Sequence, residues 1–232
     1  MGSGVSEAVP EGTLSVAARA SLSERTLLLL RAFAPQTGLS VDEIAFTGVS
    51  GYVRFMHATH AYMRASVPLM VAARDRFQLL GEKDVVSYLN QHIIEETGHD
   101  TWLLEDLATH DLETDTTEIA LLPEFATACG CQYYHILHGN PWLFFAYVFA
   151  LEISPPTTHL IAELEKRTGL NPTAFRTLQE HQDLDDGHAA DLAELIDTFD
   201  LSPSVDLAFQ QNALLSRTQI HVGIRRALKQ DA

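Results

Sequence analysis

The chain has 232 residues, of which 46% are hydrophobic and 20% are charged, enough for one sizeable buried core. Its formal net charge of -16 repels nucleic acids and anionic membrane surfaces, so we expect neither as a partner. No apolar run approaches the roughly 18 residues that a membrane-spanning helix needs. The first residues show neither the basic nor the apolar region of a secretory signal, and the two cysteines suit a reducing compartment, so we expect a cytoplasmic protein.

The sequence predicts a flexible N-terminal tail over residues 1–20 and one helical domain over residues 21–232. Long stretches with helical periodicity are separated by proline and glycine, and the alternating β-branched runs of strands are rare. The predicted helices are, in chain order, residues 22–34, 41–79, 84–109, 115–138, 141–167, 172–199 and 203–229. We therefore expect an all-α fold, a single-domain bundle of seven helices.

The first segment with candidate chemistry is HIIEETGHDTWLLEDL, residues 92–107. On one continuous helix, with about 100° between successive residues, His92, Glu95 or Glu96, and His99 share one face. Glutamate and histidine at positions i and i+3 have the spacing with which helices chelate iron in carboxylate-bridged sites. Such a pair on its own is more often a solvated surface pair, so other segments must decide.

The second segment is PWLFFAYVFALEISPP, residues 141–156, in which Glu152 is the one acidic residue. An unpaired carboxylate in such apolar surroundings would cost several kcal/mol. We therefore expect Glu152 to be protonated, paired with a basic group or bound to a cation.

The third segment is HQDLDDGHAADL, residues 181–192. Offsets of four and seven residues bring His181, Asp185 and His188 within roughly 60° of one another on a helix. An apolar stripe would normally occupy that face of a core helix.

Together the three segments supply three carboxylates and three histidines but no thiolate, a donor set that suits iron or manganese better than structural zinc. Six ligands are about what two divalent ions need if coordination positions stay open for O2. The candidate metal ligands are Glu95 or Glu96, His99, Glu152, His181, Asp185 and His188, with His92 on the same helix face as the first of these.

Several further residues are less specific candidates for the substrate pocket or for additional ligands, and each also suits ordinary core or surface packing. Arg54 or Arg64 are candidates for binding a substrate carboxylate. The remaining candidates are His57, His60, His92, Glu95, Tyr133, Tyr134 and Phe145.

The segments EETGHDTWLLEDL, YYHILHGNPWLFFAYVFALE and HQDLDDGH resemble the haem-oxygenase-like di-iron oxidase superfamily over roughly residues 92–190. This resemblance implies a seven-helix bundle that encloses two irons. It implies that Glu96 and His99 are ligands from the third core helix and that Glu152 is a bridging carboxylate. It also implies that the final ligands are His181, Asp185 and His188. The predicted metal ligands are then Glu96, His99, Glu152, His181, Asp185 and His188, and we expect the carboxylates of Glu96, Glu152 and Asp185 to take part in catalysis.

The chain departs from some members of that superfamily at one position. Those members carry glutamate seven residues before the histidine of the third core helix, where this chain has His92. Glu96 or Glu95 must then serve, or the first iron site has a different ligand set.

The resemblance implies an O2-dependent non-haem di-iron oxidase or oxygenase with two Fe2+ ions per chain. The expected substrate is a small amino acid, amine or fatty-acid-type molecule, which undergoes oxidative cleavage, decarboxylation or N-oxygenation in specialised metabolism. An external electron donor and a homodimer are compatible with this function. The alternatives are a metal-free enzyme of the same bundle, such as a cofactorless oxidase or a thiaminase-like enzyme, and a non-catalytic haem- or iron-binding protein with an axial histidine such as His57.

Overall fold

The computed structural model describes residues 20–45 and 48–229, with the backbone alone at residue 37, residue 45 and residues 183–186. Every regular element in these ranges is helical, so the all-α prediction is confirmed. Of the predicted tail over residues 1–20, all but Ala20 lies outside the described residues. Within the described part, every helix is too short or too polar to cross a bilayer.

Twelve α-helices are described, and two short 3-10 turns, Pro141–Leu143 and Pro172–Phe175, precede α9 and α11. The helices are α1 Leu22–Thr37, α2 Val41–Ala45, α3 Gly48–Met63, α4 Ser66–Leu80, α5 Lys83–Glu96, α6 His99–Ala108, α7 Thr117–Ala120, α8 Pro123–Leu137, α9 Phe144–Glu152, α10 Thr158–Thr168, α11 Arg176–Asp197 and α12 Pro203–Leu228.

All seven predicted regions are helical, but four of them are divided into shorter helices. The most consequential division separates α5 from α6 at Thr97 and Gly98. Gly98 has φ 98°, a left-handed conformation that glycine adopts without the steric cost of a Cβ atom. The prediction of one continuous helix over residues 84–109 is therefore wrong at this point. As a result, Glu96 ends one helix and His99 begins the next.

Local signals explain where other helices begin and end. Ser21 and Glu24 form a capping box at α1, in which each side chain accepts a hydrogen bond from the other residue's backbone N–H. Thr157 caps α10 through its hydroxyl, which accepts from the Leu160 N–H. Pro155 and Pro156 separate α9 from α10, as expected for residues that cannot continue a helix.

The long helix α12 organises the bundle, because it packs against α1, α3, α8 and α9. Its interface with α8 contains a buried polar network. The Asn212 amide donates to Gln132 Oε1 at 2.9 Å and to the Leu143 carbonyl at 2.8 Å. This network ties α8, α12 and the turn before α9 together, and that turn leads directly into the helix that carries Glu152.

We predict that Asn212→Ala lowers the free energy of unfolding by about 2–4 kcal/mol, because it leaves two buried acceptors without their donor. Urea unfolding followed by circular dichroism measures the change. Gln211→Ala, at an exposed position of the same helix, is the control and should change stability by less than about 0.5 kcal/mol. Equal stability of the two variants would contradict the assigned role of the network.

Candidate metal centre

Four helices bring histidine and glutamate side chains to one place in the bundle. Glu96 and Glu152 are the last residues of α5 and α9, and His99 is the first residue of α6. The helix α11, which packs against α6 and α9, contributes His181 and His188.

One set of side chains, here called the first donor group, contains two carboxylates and two imidazoles. It consists of His92, Glu96, Glu152 and His188, whose ligand atoms lie within 4.8 Å of one another. His92 Nε2 is 3.4 Å from Glu152 Oε1, and His188 Nδ1 is 3.5 Å from Glu96 Oε1. Four donors from three helices therefore surround a space of the size that one ion needs.

A second donor group lies directly beside the first. It consists of Glu96, His99 and His181, again with ligand atoms within 4.8 Å of one another. His99 Nδ1 is 3.3 Å from Glu96 Oε2, and the rings of His99 and His181 are 5.0 Å apart at an angle of 77°. The side chain of Asp185, which the sequence also predicts as a ligand, lies outside the described part of the structure.

Glu96 is the member that both donor groups share. Its Oε1 faces His188 of the first group, and its Oε2 faces His99 of the second. One carboxylate that offers a separate oxygen to each group is the arrangement of a bridging ligand. The resemblance implies that Glu152 is the bridging carboxylate. Within the described side chains, however, Glu152 belongs to the first donor group and not to the second.

The separations between these donors fit shared metal ions better than direct hydrogen bonds. An N–H···O bond is typically about 2.9 Å long, whereas two ligands of one ion with metal–ligand bonds of about 2.1 Å lie roughly 3.0–3.4 Å apart. The nitrogen–oxygen distances given above are 3.3–3.5 Å. In addition, three buried imidazole nitrogens have no hydrogen-bond partner within the described structure, namely His99 Nδ1, His181 Nε2 and His188 Nδ1. A neutral imidazole nitrogen without a hydrogen-bond partner can offer its lone pair to a metal ion, and His188 Nδ1 can do so once that imidazole has lost its proton.

The positions of the two glutamates also favour a cation. Both end a helix, where the macrodipole disfavours negative charge by about 0.3–1 kcal/mol or more when partly buried. Both are largely buried, with side chains only 11% and 12% exposed. A divalent ion would offset both effects, so the residues present fit a metal centre.

A hydrogen-bond chain orients His181. The buried carboxylate of Asp106 accepts from the Thr177 N–H at 2.7 Å and so fixes the start of α11. One turn later, His181 Nδ1 lies 2.8 Å from the Thr177 carbonyl, which can only accept, so Nδ1 carries the proton. The opposite nitrogen, Nε2, therefore carries no proton and keeps its lone pair available for a metal ion. A hydrogen bond from the ring nitrogen that does not face the metal sets the tautomer of metal-binding histidines.

In the first donor group, Glu152 and His188 strongly shift each other's pKa. Burial alone would raise the pKa of Glu152, but the imidazoles of His188 and His92 lower this pKa to about 2. The Glu152 carboxylate raises the pKa of His188 to about 9, against the opposing effect of burial. Without a metal ion, the centre therefore holds an imidazolium against a carboxylate at neutral pH.

Tyr88 covers the first donor group. Its ring stacks on His92 with centroids 5.4 Å apart and an interplanar angle of 16°. Burial, reinforced by the charge of Glu152, raises the pKa of Tyr88, so its phenol stays neutral. Its hydroxyl is buried without a hydrogen-bond partner in the described structure.

A cavity of about 510 Å³ adjoins the centre. Glu96, Glu152 and His181 lie on its wall, and most of the remaining wall is apolar. The volume is typical of sites that bind small molecules and cofactors, which occupy about 300–1,000 Å³. The cavity is therefore the natural place for a substrate beside the metal centre.

Among the less specific candidates, His92 belongs to the first donor group, whereas His57, His60 and Glu95 lie outside both groups. Glu95 lies at the rim, with a side chain 39% exposed and an oxygen 3.6 Å from His188 Nε2. His57 is buried and donates through Nε2 to the Glu113 carbonyl at 2.8 Å. His60 is buried, and desolvation lowers its pKa. Neither His57 nor His60 is among the described residues of the cavity wall.

The aromatic candidates are absent from the described cavity wall as well. Tyr133 and Tyr134 are 37% and 63% exposed, because they lie on the face of α8 that points away from the bundle. Phe145 is fully buried and packs against Phe77 and Phe199 in the core. These three residues therefore do not form the pocket wall that the sequence suggested.

The arginine on the described cavity wall is Arg217, rather than Arg54 or Arg64, and His221 of the same helix also lies on that wall. Arg217 is not among the candidates predicted from the sequence, although helical periodicity carries a signal for it. Arg217 is one position after Ser216 and lies three and seven residues before Ile220 and Ile224, which are buried residues of α12. Helical periodicity thus places it on the inward stripe of that helix.

Comparison with known proteins adds a family and a fold. Residues 50–212 match the model of a family described as iron-containing redox enzymes, and this span includes every residue of the two donor groups. A search of the curated proteins found no match.

Three crystal structures have similar folds at low sequence identity. A haem-oxygenase-like domain of unknown function from Shewanella denitrificans has a TM-score of 0.63 and 16% identity, covering 95% of this chain and 91% of its own. A CADD-like protein of unknown function from Nostoc punctiforme has a TM-score of 0.68 and 14% identity, covering 89% and 97%. A TenA homologue from Pseudomonas syringae pv. tomato has a TM-score of 0.62 and 15% identity, covering 97% and 99%. The predicted haem-oxygenase-like fold is thereby confirmed.

We predict that metal titration separates the two donor groups. His92→Ala removes a ligand of the first group only and His181→Ala a ligand of the second only, so each should reduce Mn2+ binding from about two ions to about one per chain. Glu96→Ala should weaken both sites. Bound metal is measured after equilibrium dialysis, with His159→Ala on the exposed face of α10 as the control. Full metal binding by the Glu96 variant would contradict its shared position.

We predict that metal binding releases a proton from His188. With its pKa raised to about 9, this imidazole is protonated in the metal-free protein near neutral pH and must lose the proton to bind a metal. Metal affinity should therefore increase as the pH rises towards about 9, because a growing fraction of His188 is then deprotonated. A pH indicator in weakly buffered solution measures the release on addition of Mn2+. His188→Ala should release fewer protons than wild type, and equal release would contradict the prediction.

Proposed function

The chain belongs to the family of iron-containing redox enzymes, and from this premise we propose that it is an O2-dependent non-haem di-iron oxidase or oxygenase. The observation that carries the proposal is the pair of donor groups joined by Glu96. Two adjacent sites with one carboxylate in common suit two metal ions that act together. Mixed carboxylate and imidazole ligands suit iron.

Each donor group has a defined share in this proposal. His92, Glu152 and His188 would hold one ferrous ion and His99 and His181 the other, with Glu96 between them. Asp185, whose side chain lies outside the described structure, would be a further ligand, as the sequence pattern predicts. Ferrous ions bound there would supply electrons and open coordination positions for O2.

The surrounding residues control access and orientation. The Thr177 carbonyl holds His181 in the tautomer that presents Nε2 to the centre. The Tyr88 ring covers His92, and the apolar wall of the cavity limits water beside Glu96 and Glu152. A small-molecule substrate bound in the cavity would lie against the metal-facing side chains. An external electron donor would restore the ferrous state between turnovers.

Two observations weigh against the alternatives. His99 Nδ1 and His181 Nε2 are buried without hydrogen-bond partners in the described structure, which suits metal ligands better than the acids and bases of a metal-free enzyme. A haem carrier with His57 as axial ligand is disfavoured, because His57 Nε2 is engaged with the Glu113 carbonyl.

The test is anaerobic loading with Fe2+, followed by metal analysis and by stopped-flow absorbance and O2 uptake on mixing with oxygenated buffer. We expect about two irons per chain and rapid O2 consumption. Glu152→Ala should slow O2 consumption by more than about 100-fold, because it removes a ligand. Glu118→Ala, at an exposed position on α7, is the control and should behave as wild type.

Two results would contradict the proposal. Failure of the wild-type protein to take up iron would favour the metal-free enzyme. Iron uptake without O2 consumption would favour a non-catalytic iron-binding protein.

A further inference from the structure

Arg217 is a basic side chain on the wall of the cavity beside the metal centre. It lies near the middle of α12, on the helix face that also presents Ile220 and Ile224 to the same cavity. Most of the described wall of this cavity is apolar, for example Phe55 and Leu103, although His221 lies on the wall one helical turn after Arg217. A guanidinium in such surroundings loses hydration and needs an anionic partner.

The described part of the chain provides no such partner for Arg217. Its Nε is buried without a hydrogen bond, and none of the described carboxylates lies within ion-pair distance of it. Burial accordingly lowers its pKa, with no acidic residue acting in the opposite direction. On the same helix, by contrast, Arg225 pairs with Glu43 and Arg226 pairs with Glu124.

We infer that Arg217 binds the carboxylate of the substrate and that the substrate is an aliphatic monocarboxylic acid of the fatty-acid type. A planar guanidinium matches a carboxylate with two parallel hydrogen bonds, which gives orientation as well as affinity. An anion from outside the protein would complete the charge pair that Arg217 lacks.

The rest of the cavity selects the body of the molecule. Its wall is largely apolar, so it suits a hydrocarbon chain. The acidic side chains on the described wall are Glu96 and Glu152, and both belong to the donor groups. No other described carboxylate on the wall could receive the ammonium group of an amino acid. This favours a simple fatty acid over an amino acid.

Binding of an acid by Arg217 is independent of the metal centre, but its oxidation rests on the proposed function. Arg217 lines the same cavity as Glu96, Glu152 and His181, so a molecule held by its carboxylate shares that cavity with the metal centre. The anchored acid would be the molecule that is oxidised.

The test compares decanoate, decanol and 2-aminodecanoate as probes, by calorimetric titration of metal-free and of anaerobic Fe2+-loaded protein. The metal-free titration shows the contribution of Arg217 without any metal–carboxylate bond. Variants are Arg217→Met, which keeps length and apolar contact, and Arg226→Met as the control on the same helix.

We expect wild type to bind decanoate more tightly than either of the other probes. Arg217→Met should weaken decanoate binding by about 10- to 100-fold, as for a lost charge-assisted hydrogen bond. The same variant should leave decanol binding unchanged, and Arg226→Met should bind decanoate as wild type does. Unchanged decanoate binding by Arg217→Met would overturn the inference. Tighter binding of 2-aminodecanoate would overturn the choice of a simple fatty acid.

Thermal unfolding provides an independent check on the unpaired state of Arg217. Removal of a half-buried charge without a partner in the described structure should leave the Tm of Arg217→Met equal to or above that of wild type. A clearly lower Tm would show that Arg217 has a structural partner, which would contradict the inference.

The outcomes separate this inference from the proposed function. If wild type takes up no iron but decanoate binding still depends on Arg217, the carboxylate site stands and the di-iron proposal fails. If iron uptake and O2 consumption are as expected but Arg217→Met binds decanoate normally, only the substrate assignment fails.

Discussion

A buried carboxylate at the end of a helix is destabilising unless a positive charge faces it, and Glu96 and Glu152 both occupy such positions. In the metal-free protein, His188 and His92 provide the compensation by holding Glu152 in its charged form. Two divalent ions would provide more. The ends of α5 and α9, the break at Gly98 and the orientation of α11 together bring the two carboxylates close to the imidazoles that compensate their charge.

Packing in the apolar part of the bundle offsets the unfavourable free energy of burying this polar centre. α12 packs against four helices and is tied to α8 by the buried Asn212 and Gln132 amides. Separately, the hydrogen bonds between Asp106 and Thr177 and between Thr177 and His181 fix the orientation of that imidazole. In the described structure, the imidazole nitrogens of the centre and Arg217 Nε lack hydrogen-bond partners, which lowers the stability of the fold. A bound ligand would remove this destabilisation, and such a trade of stability for function is common at functional sites.

The sequence predicted the fold class and most of the centre, because both depend on patterns local to a helix. The histidines of HQDLDDGH and the lone acid at Glu152 stand out by type and spacing. It left open the choice among His92, Glu95 and Glu96, since a helical wheel assumes a continuous helix and cannot anticipate the break at Gly98. Which arginine faces the cavity depends on how α12 is rotated within the bundle, and that rotation is set by tertiary packing.

The most direct test of the central claim is a crystal structure of the anaerobic Fe2+-loaded protein with anomalous data collected at the iron edge. The account predicts two anomalous peaks, one within each donor group, with one Glu96 oxygen bound to each ion. A single peak, no peak, or two peaks without Glu96 between them would contradict it.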